Sequence, residues 1–232
     1  MKVHWRGFPI SISALILGTL HGQAEPIQRL RDRGWTVYSC GHRREGPGVA
    51  CADEFFEVDI LAVDKVEALA RDLNVDLVYS VGSDIAMPTV ATVSERLGLP
   101  MFHTVEQTEV LHRKVNLRSF LSKYGLSPVV NLSVKNPADL RNFSRFPAIV
   151  KPSDSQGQRG ITVVQNMEEA IAAVPVAIES SSSCTAIIEE FLDGPEVSVH
   201  VFAVDRKVQF QLVSDRHVWD GPLTGVPSAH TV

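Results

Sequence analysis

The first hundred residues alternate short apolar runs with segments whose apolar residues recur at helical spacing. The strand-like runs are ALILG, WTVYSC, VDLVYSVG and PMFH, and the helical segments are residues 23–33, VDKVEALARDLN and DIAMPTVATVSERLG. Strands that alternate with helices are joined by parallel crossovers, and such crossovers build an open sheet with helices on both faces. The sequence therefore predicts an α/β fold that begins with a doubly wound parallel sheet.

The pattern changes after a predicted helix over residues 106–124, which ends at Gly125. Beyond this helix, strand-like segments predominate, and a single helical segment, MEEAIAAVPVAIES, interrupts them. The predicted strands are PVVNLSV, PAIVKP, ITVVQ and TAIIEEFL, followed by a hairpin, EVSVHVFAVDRKVQFQLVSD, that turns at residues 205–207. We expect a doubly wound domain over residues 1–108 and an incomplete α+β domain over residues 109–232.

The stretch IVKPSDSQGQRGITVV places Lys151 at the exit of one strand, directly before a loop that contains two glycines. Glycines allow backbone N–H groups to turn inward and to approach a ligand closely, so the loop has the parts of a phosphate site. The loop residues that would contact phosphate are Ser155, Gln156, Gly157, Arg159 and Gly160. The lysine precedes the glycines and a strand follows them, which excludes a Walker A loop. A glycine-bearing hairpin with solvated charges is the alternative.

Two further segments are candidates for the same site. Lys114 lies in the linking helix, where a lone lysine is ordinarily a surface residue. The segment IIEEFLDGPEVSV is a strand-to-strand hinge that offers backbone groups to the edge of a heterocycle, apolar side chains to its face and a carboxylate to ribose hydroxyls. The alternative is that its acidic residues are solvated positions at a sheet edge.

The order of these pieces resembles the ATP-grasp superfamily: a helix lysine, a strand lysine in KPxDxxGxxG, about thirty residues that include a helix, and EEFLDGPE before a hairpin. The preceding half is similar to the domain that precedes the ATP-grasp domain in biotin carboxylases and in the large subunit of carbamoyl-phosphate synthetases. The resemblance begins at about residue 13 and covers nearly all of the remaining chain.

The resemblance implies a role for each candidate residue. Lys114 and Lys151 would contact the ATP phosphates, and residues 155–160 would form a mobile loop over them. The adenine would lie against a hinge formed by Glu189, Glu190 and Leu192, and Glu196 would bind the ribose. Members of the superfamily usually transfer the ATP γ-phosphate to a carboxylate, and a nucleophile then attacks the acyl phosphate.

The expected metal ligands are missing from the sequence. Phosphoryl transfer of this kind needs Mg²⁺, which the superfamily holds with an acidic residue and a Glu-x-Asn pair late in the fold. After Glu196 the sequence contains no glutamate, and its remaining aspartates are Asp205, Asp215 and Asp220. We therefore assign no residue as metal-binding or catalytic. We expect either a C-terminally truncated member or a relative that binds nucleotide without consuming it.

Composition narrows the partners and the compartment. A formal net charge of -5 argues against nucleic acid as a partner, and no run reaches the roughly 20 apolar residues that span a bilayer. Three cysteines without metal spacing indicate a reducing compartment, so we expect a cytoplasmic protein. The first 25 residues also have the outline of a signal peptide, which is the alternative interpretation.

Two functional hypotheses follow. The first is an ATP-dependent ligase, carboxylate–amine or carbamoyl-phosphate-synthetase-like, that takes ATP, Mg²⁺ and a small carboxylate; a homodimer is one alternative for its oligomeric state. The second is a non-catalytic nucleotide-binding module. A dinucleotide-dependent oxidoreductase is disfavoured because the first half lacks GxGxxG and the acidic residue about 20 positions later. GTLHGQ and VGSD would line one wall of a substrate pocket, or would simply make tight turns.

Overall fold

The computed structural model describes residues 12–155, 159–219 and 226–232. The chain divides into two compact units, Met1–Leu117 and Arg118–Val232. No helix in the described ranges is both long and apolar enough to cross a membrane.

The first unit is built around a parallel sheet of four strands in the order β3-β2-β1-β4. Its strands are β1 (Ser13–Leu17), β2 (Thr36–Gly41), β3 (Glu54–Glu57) and β4 (Leu77–Tyr79). Its helices are α1 (His21–Asp32), α2 (Gly48–Cys51), α3 (Val63–Asp72), α4 (Met87–Leu97) and α5 (Val105–His112), and a 3₁₀ turn, Asp84–Ala86, precedes α4. The fold class predicted from the alternating pattern is confirmed.

The two faces of this sheet are buried by different helices. Leu15 and Leu17 of the central strand β1 pack in a cluster with Val66 of α3 and Val93 of α4. Ile16, which points to the opposite face, packs with Ile27 of α1. All five residues of β1 are buried, as expected for a strand covered on both faces.

The second unit contains two antiparallel sheets and one long helix. One sheet has the order β5-β8-β6-β7 and the other β11-β10-β9. The strands are β5 (Asn131–Val134), β6 (Ala148–Pro152), β7 (Thr162–Val164), β8 (Ala186–Glu190), β9 (Val197–Val204), β10 (Lys207–Val218) and β11 (Pro227–Thr231). The helices are α6 (Lys114–Lys123), which spans the division between the units, and α7 (Met167–Glu179), and a 3₁₀ turn covers Pro137–Asn142. This is the mixed α+β arrangement that the sequence predicts.

The four-stranded sheet of the second unit packs on α7. Val150 of β6 and Ile188 of β8 lie in one buried cluster with Ala173 and Val174 of the helix. The three-stranded sheet has no such cover in the described part of the chain, and many of its apolar side chains are exposed. The examples are Val199, Val201, Phe202, Phe210 and Val213.

Two local predictions were wrong, and strand β3 was missed. The segment PMFH is not a strand, because its backbone does not pair with any described strand. The side chain of its Phe102 is 61% exposed. The helix predicted over residues 106–124 is two helices, since Arg113 adopts an extended conformation between α5 and α6. Strand β3 was not predicted; it is only four residues long and shows no clear alternation of apolar residues.

Candidate functional site

Lys151 lies near the end of β6, on the face opposite the helix-packed core. The strand alternates as predicted: Ala148 and Val150 are fully buried, while Ile149 and Lys151 lie on the other face. The side chain of Lys151 is 17% exposed. Because β6 pairs antiparallel with β7, the glycine-containing loop connects two neighbouring strands. The loop therefore leads into a strand, whereas a Walker A loop leads into a helix.

Glu189 holds Lys151 in a buried ion pair. It lies on β8, in register with Ile149 of β6, and its side chain is only 3% exposed. One carboxylate oxygen accepts a hydrogen bond from the ammonium of Lys151 at 2.5 Å. Arg118 of α6 donates to the same carboxylate, from Nε at 2.6 Å and from Nη2 at 3.1 Å. Two cations therefore share one buried carboxylate, and we call Arg118, Lys151 and Glu189 the Glu189 triad.

The triad keeps its carboxylate ionised. Burial would raise the pKa of Glu189, but the hydrogen bonds from Arg118 and Lys151 outweigh burial and hold this pKa below its ordinary value. The hydrogen bond to Glu189 likewise raises the pKa of Arg118. With one anion and two cations, the triad carries a net charge of one positive unit on this face of the sheet.

Asp154 anchors the start of the glycine-containing loop. Its carboxylate accepts hydrogen bonds from three consecutive serines in the turn after α7, namely Ser181, Ser182 and Ser183. Burial opposes ionisation, but these hydrogen bonds outweigh it and lower the pKa of Asp154 to about 2. At the far end of the loop, Gly160 has φ +70, and a Cβ there would lie 2.7 Å from Oγ of Ser180. Ser180 directly precedes the three serines, so the serine turn, residues 180–183, lies against both ends of the loop.

The predicted adenine hinge begins with the last two residues of β8, Glu189 and Glu190, and continues to Leu192. Glu190 exchanges backbone and side-chain hydrogen bonds with Val130, and the backbone N–H of Phe191 donates to Pro147. The N–H groups of Glu190 and Phe191 therefore donate to other backbone groups of the protein. The next residue, Leu192, is 65% exposed. Further along, Glu196 is paired with Arg216 of β10 while its side chain stays about half exposed.

The model of the family described as "Phosphoribosylglycinamide synthetase, ATP-grasp (A) domain" matches residues 113–222, which contain the whole Glu189 triad and the hinge. Residues 113–222 belong to the ATP-grasp superfamily. Lys151, the glycine-containing loop and the EEFLDGPE segment all lie within the matched range.

The chain is also similar to curated proteins and to solved structures. D-Alanine–D-alanine ligase from Flavobacterium johnsoniae is 29% identical over 123 residues, which cover 49% of this chain and 38% of that protein. The crystal structure of L-amino acid ligase from Bacillus licheniformis has a TM-score of 0.74 at 22% identity, over 91% of this chain and 52% of that one. The biotin carboxylase domain of 2-oxoglutarate carboxylase from Hydrogenobacter thermophilus, solved with MgADP, has a TM-score of 0.74 at 16% identity, over 91% and 51%.

The chain thus spans about half the length of these two structures and less than half of the D-alanine–D-alanine ligase. At these identities the solved structures show a common fold.

The other ATP-grasp candidate residues are distributed as follows. Lys114 is the first residue of α6 and belongs to the first unit, and it is partly buried. Ser155 is partly buried and Arg159 is exposed, on either side of the loop centre. Gln156 and Gly157, like Asp220 near the end of the chain, lie outside the described residues. The nucleotide-binding roles of all these residues remain predictions.

Sequence reasoning gave no role in this candidate site to Arg118 or to Asp154. A signal for Arg118 was present, because it follows Lys114 by four residues, the spacing that places two side chains on one face of a helix. Asp154 is the aspartate of the KPxDxxGxxG pattern, but no local feature indicated its three serine partners, which lie 27 to 29 residues away in the sequence.

The two segments considered as a substrate wall lie side by side in the first unit. GTLHGQ follows β1 and VGSD follows β4, and these two strands are paired. The buried side chain of Gln23 links them, since its amide nitrogen donates to the carbonyl of Val81 and its oxygen accepts from the backbone N–H of Leu20. His21 and His42 are both exposed at this edge.

Within residues 12–155, 159–219 and 226–232, no group of three or more His, Cys, Asp or Glu side chains is arranged to hold a metal ion. These residues do not fit the Mg²⁺ site that ATP-grasp phosphoryl transfer uses.

Proposed function

We propose that this chain forms the nucleotide-binding part of an ATP-dependent ligase, carboxylate–amine or carbamoyl-phosphate-synthetase-like. The observation that carries the proposal is the Glu189 triad. It places a partly exposed ammonium, with a net positive charge around it, at the start of a glycine-containing loop between two antiparallel strands. A compact cation beside backbone donors is a site for phosphate oxygens.

The proposed division of labour follows the chemistry of the nucleotide. Lys151 and Lys114, with the donors of residues 155–160, would neutralise the phosphates. Glu189, Glu190 and the backbone near Leu192 would hold the adenine, and Glu196 would accept hydrogen bonds from the ribose hydroxyls. The exposed Leu192 would cover one face of the base.

The reaction class is supported by two of the similar proteins, whose names describe the ligation of amino acids. In such a reaction a substrate carboxylate oxygen attacks the γ-phosphorus of ATP, the bond to the β-phosphate oxygen breaks, and ADP leaves. The amine then attacks the carbonyl carbon of the acyl phosphate, phosphate leaves, and the nitrogen loses a proton. In the first step Lys151 would stabilise the charge that develops on the transferring phosphoryl group.

Isothermal titration calorimetry with ATP tests nucleotide binding. The wild-type protein should bind ATP, and Lys151→Ala should lower the affinity at least about tenfold, the loss expected when one charge-assisted contact to phosphate is removed. Lys65→Ala, which removes an exposed lysine of α3, is the matched control and should leave the affinity unchanged. No binding by the wild type, or equal binding by Lys151→Ala, would reject the proposal.

The second candidate function is a nucleotide-binding module without turnover, and it is favoured because no carboxylate cluster for a metal lies among the described residues. The two functions are separated by measuring ADP and phosphate release from ATP and Mg²⁺ in the presence of amino-acid pairs, using the protein translated from the complete reading frame that contains these 232 residues. ADP release that depends on a carboxylate and an amine supports the ligase. Tight binding of ATP without any release supports the module.

A further inference from the structure

Arg118 has no assigned role in the site, although it makes more hydrogen bonds to Glu189 than Lys151 does. It donates from two nitrogens to the two oxygens of the carboxylate, at 2.6 and 3.1 Å, while Lys151 donates to one oxygen at 2.5 Å. Arg118 is also partly buried, with 25% of its side chain exposed. Its Nη1 lies 3.4 Å from the hydroxyl of Ser127, which further fixes the guanidinium plane.

The proposed contact between Lys151 and phosphate raises an electrostatic difficulty, because Lys151 already pairs with the buried carboxylate of Glu189. A lysine and a buried carboxylate that pair only with each other have no net charge. If the ammonium turned toward phosphate, the carboxylate would stay buried without a partner. Leaving one member of a buried ion pair without its partner costs several kcal/mol. A lysine in a simple pair would therefore be a poor ligand for phosphate.

Arg118 removes this difficulty because it satisfies both oxygens of Glu189 independently of Lys151. An arginine guanidinium is always protonated and binds a carboxylate with two parallel donors, so Glu189 stays compensated when the lysine moves. We infer that Arg118 is a positioning residue for nucleotide phosphate: by holding the Glu189 carboxylate with two hydrogen bonds, it frees Lys151 to bind the phosphates of the nucleotide. This inference rests on the proposed nucleotide-binding function.

A merely structural role for Arg118 makes a different prediction. If the guanidinium only ties α6 to β8, its loss would lower stability and would weaken the binding of every nucleotide to a similar extent. If it acts through Lys151, its loss would weaken ligands in proportion to the phosphate charge that Lys151 must meet. The ratio of the AMP and ATP dissociation constants is therefore the readout that separates the two roles.

The experiment is calorimetry with ATP and with AMP on the wild type and on Arg118→Gln, with circular dichroism to show that the variant is folded. We expect the Kd for ATP to rise about tenfold or more, which corresponds to about 1.4 kcal/mol. The Kd for AMP should change less than about twofold, a difference too small to reflect loss of a charged contact. Arg96→Gln is the matched control, because Arg96 also bridges two carboxylates, Asp64 and Glu67, but on the surface of the first unit.

A double variant makes the test specific to the proposed route. In Arg118→Gln/Glu189→Gln the buried negative charge is gone, Lys151 is no longer held by it, and the ATP-to-AMP preference should return toward that of the wild type. If Arg118→Gln does not fold, Arg118→Lys replaces it; this variant keeps the charge but loses the second donor, and it should show a smaller loss that still affects ATP and spares AMP.

Each remaining outcome overturns the inference. An equal loss of affinity for ATP and AMP would show that Arg118 has only a structural role. An unchanged Kd for ATP in Arg118→Gln, or no recovery of the ATP-to-AMP preference in the double variant, would show that Arg118 does not act through Lys151. Wild-type protein that binds no nucleotide would reject the proposed function itself, whereas normal wild-type binding with any of these other results rejects the role of Arg118 alone.

Discussion

Asp154 accepts two hydrogen bonds from Ser182, one from its hydroxyl at 2.6 Å and one from its backbone N–H at 3.1 Å. The neighbouring Ser181 and Ser183 donate to the same carboxylate. An ionised carboxylate is the acceptor that such a set of donors stabilises most, so the link between the loop and the serine turn depends on the charge of Asp154.

We predict that Asp154→Asn lowers stability near neutral pH by about 1.5–3 kcal/mol, the range for hydrogen bonds to a charged group. The pKa of Asp154 is about 2 in the folded protein and about 3.9 in an unfolded chain, so the unfolded state binds more protons between these values. The contribution of Asp154 is therefore complete above about pH 5 and disappears as the pH falls toward 2.

Urea unfolding of the wild type and of Asp154→Asn at a series of pH values measures this effect. The difference in unfolding free energy should shrink as the solution is acidified, while the exposed Asp72→Asn should differ little from the wild type throughout. A difference between wild type and Asp154→Asn that does not change with pH would show that the charge of Asp154 is not what holds the loop.

Replacing the carboxylate of the Glu189 triad should be costly. Glu189→Gln leaves two partly buried cations around a neutral amide, and breaking a buried ion pair in this way costs about 3 kcal/mol. The matched control is Glu67→Gln, because Glu67 is also shared by two arginines, Arg71 and Arg96, but their side chains are 63% and 46% exposed. Thermal unfolding should show a much larger fall in Tm for Glu189→Gln, and equal falls for the two variants would contradict the prediction.

Gly160→Ala tests the close approach between the loop and the serine turn. Its φ of +70 is unfavourable for alanine, and the new Cβ would lie 2.7 Å from Oγ of Ser180 and 3.0 Å from Cγ of Pro152. Gly98→Ala is the control, since Gly98 has φ +66 but no described atom lies within 4 Å of the position that its Cβ would take. The left-handed conformation alone costs roughly 1–2 kcal/mol. Urea unfolding should show this cost for Gly98→Ala and a clearly larger one for Gly160→Ala.

Gln23 should contribute to the stability of the first unit. It is 4% exposed and joins the loops after β1 and β4, so Gln23→Ala would leave the carbonyl of Val81 and the N–H of Leu20 without these partners. We expect a loss of about 1 kcal/mol, the order of magnitude for losing hydrogen bonds between partly buried groups. Gln28→Ala on the exposed face of the same helix, where the Gln28 amide donates to Asp32, should change the unfolding free energy little. Similar effects of both variants would show that the bridge is not a stabilising contact.

Much of the secondary structure could be predicted from local pattern. Apolar runs such as residues 13–17 are strands because they are short and fully buried, and Gly98 and Gly125 end helices in the left-handed conformation that glycine adopts readily. The hairpin turn was also predicted correctly, since Asp205 and Arg206 both have positive φ, as a two-residue hairpin turn requires. Local pattern failed where a partner strand decided the outcome, as in PMFH.

In the candidate site, too, some features follow from the local sequence and others depend on the tertiary structure. The sequence by itself determined that Lys151 leads from a strand into a glycine-containing loop and that acidic residues follow another apolar strand, because these features depend on neighbours in the chain. Only the tertiary structure decided that Glu189 meets Arg118, 71 residues away, and Lys151, 38 residues away. The pairing of β8 between β5 and β6 brings these charges together, and strand pairing over such separations depends on packing of the whole sheet, which no local pattern contains.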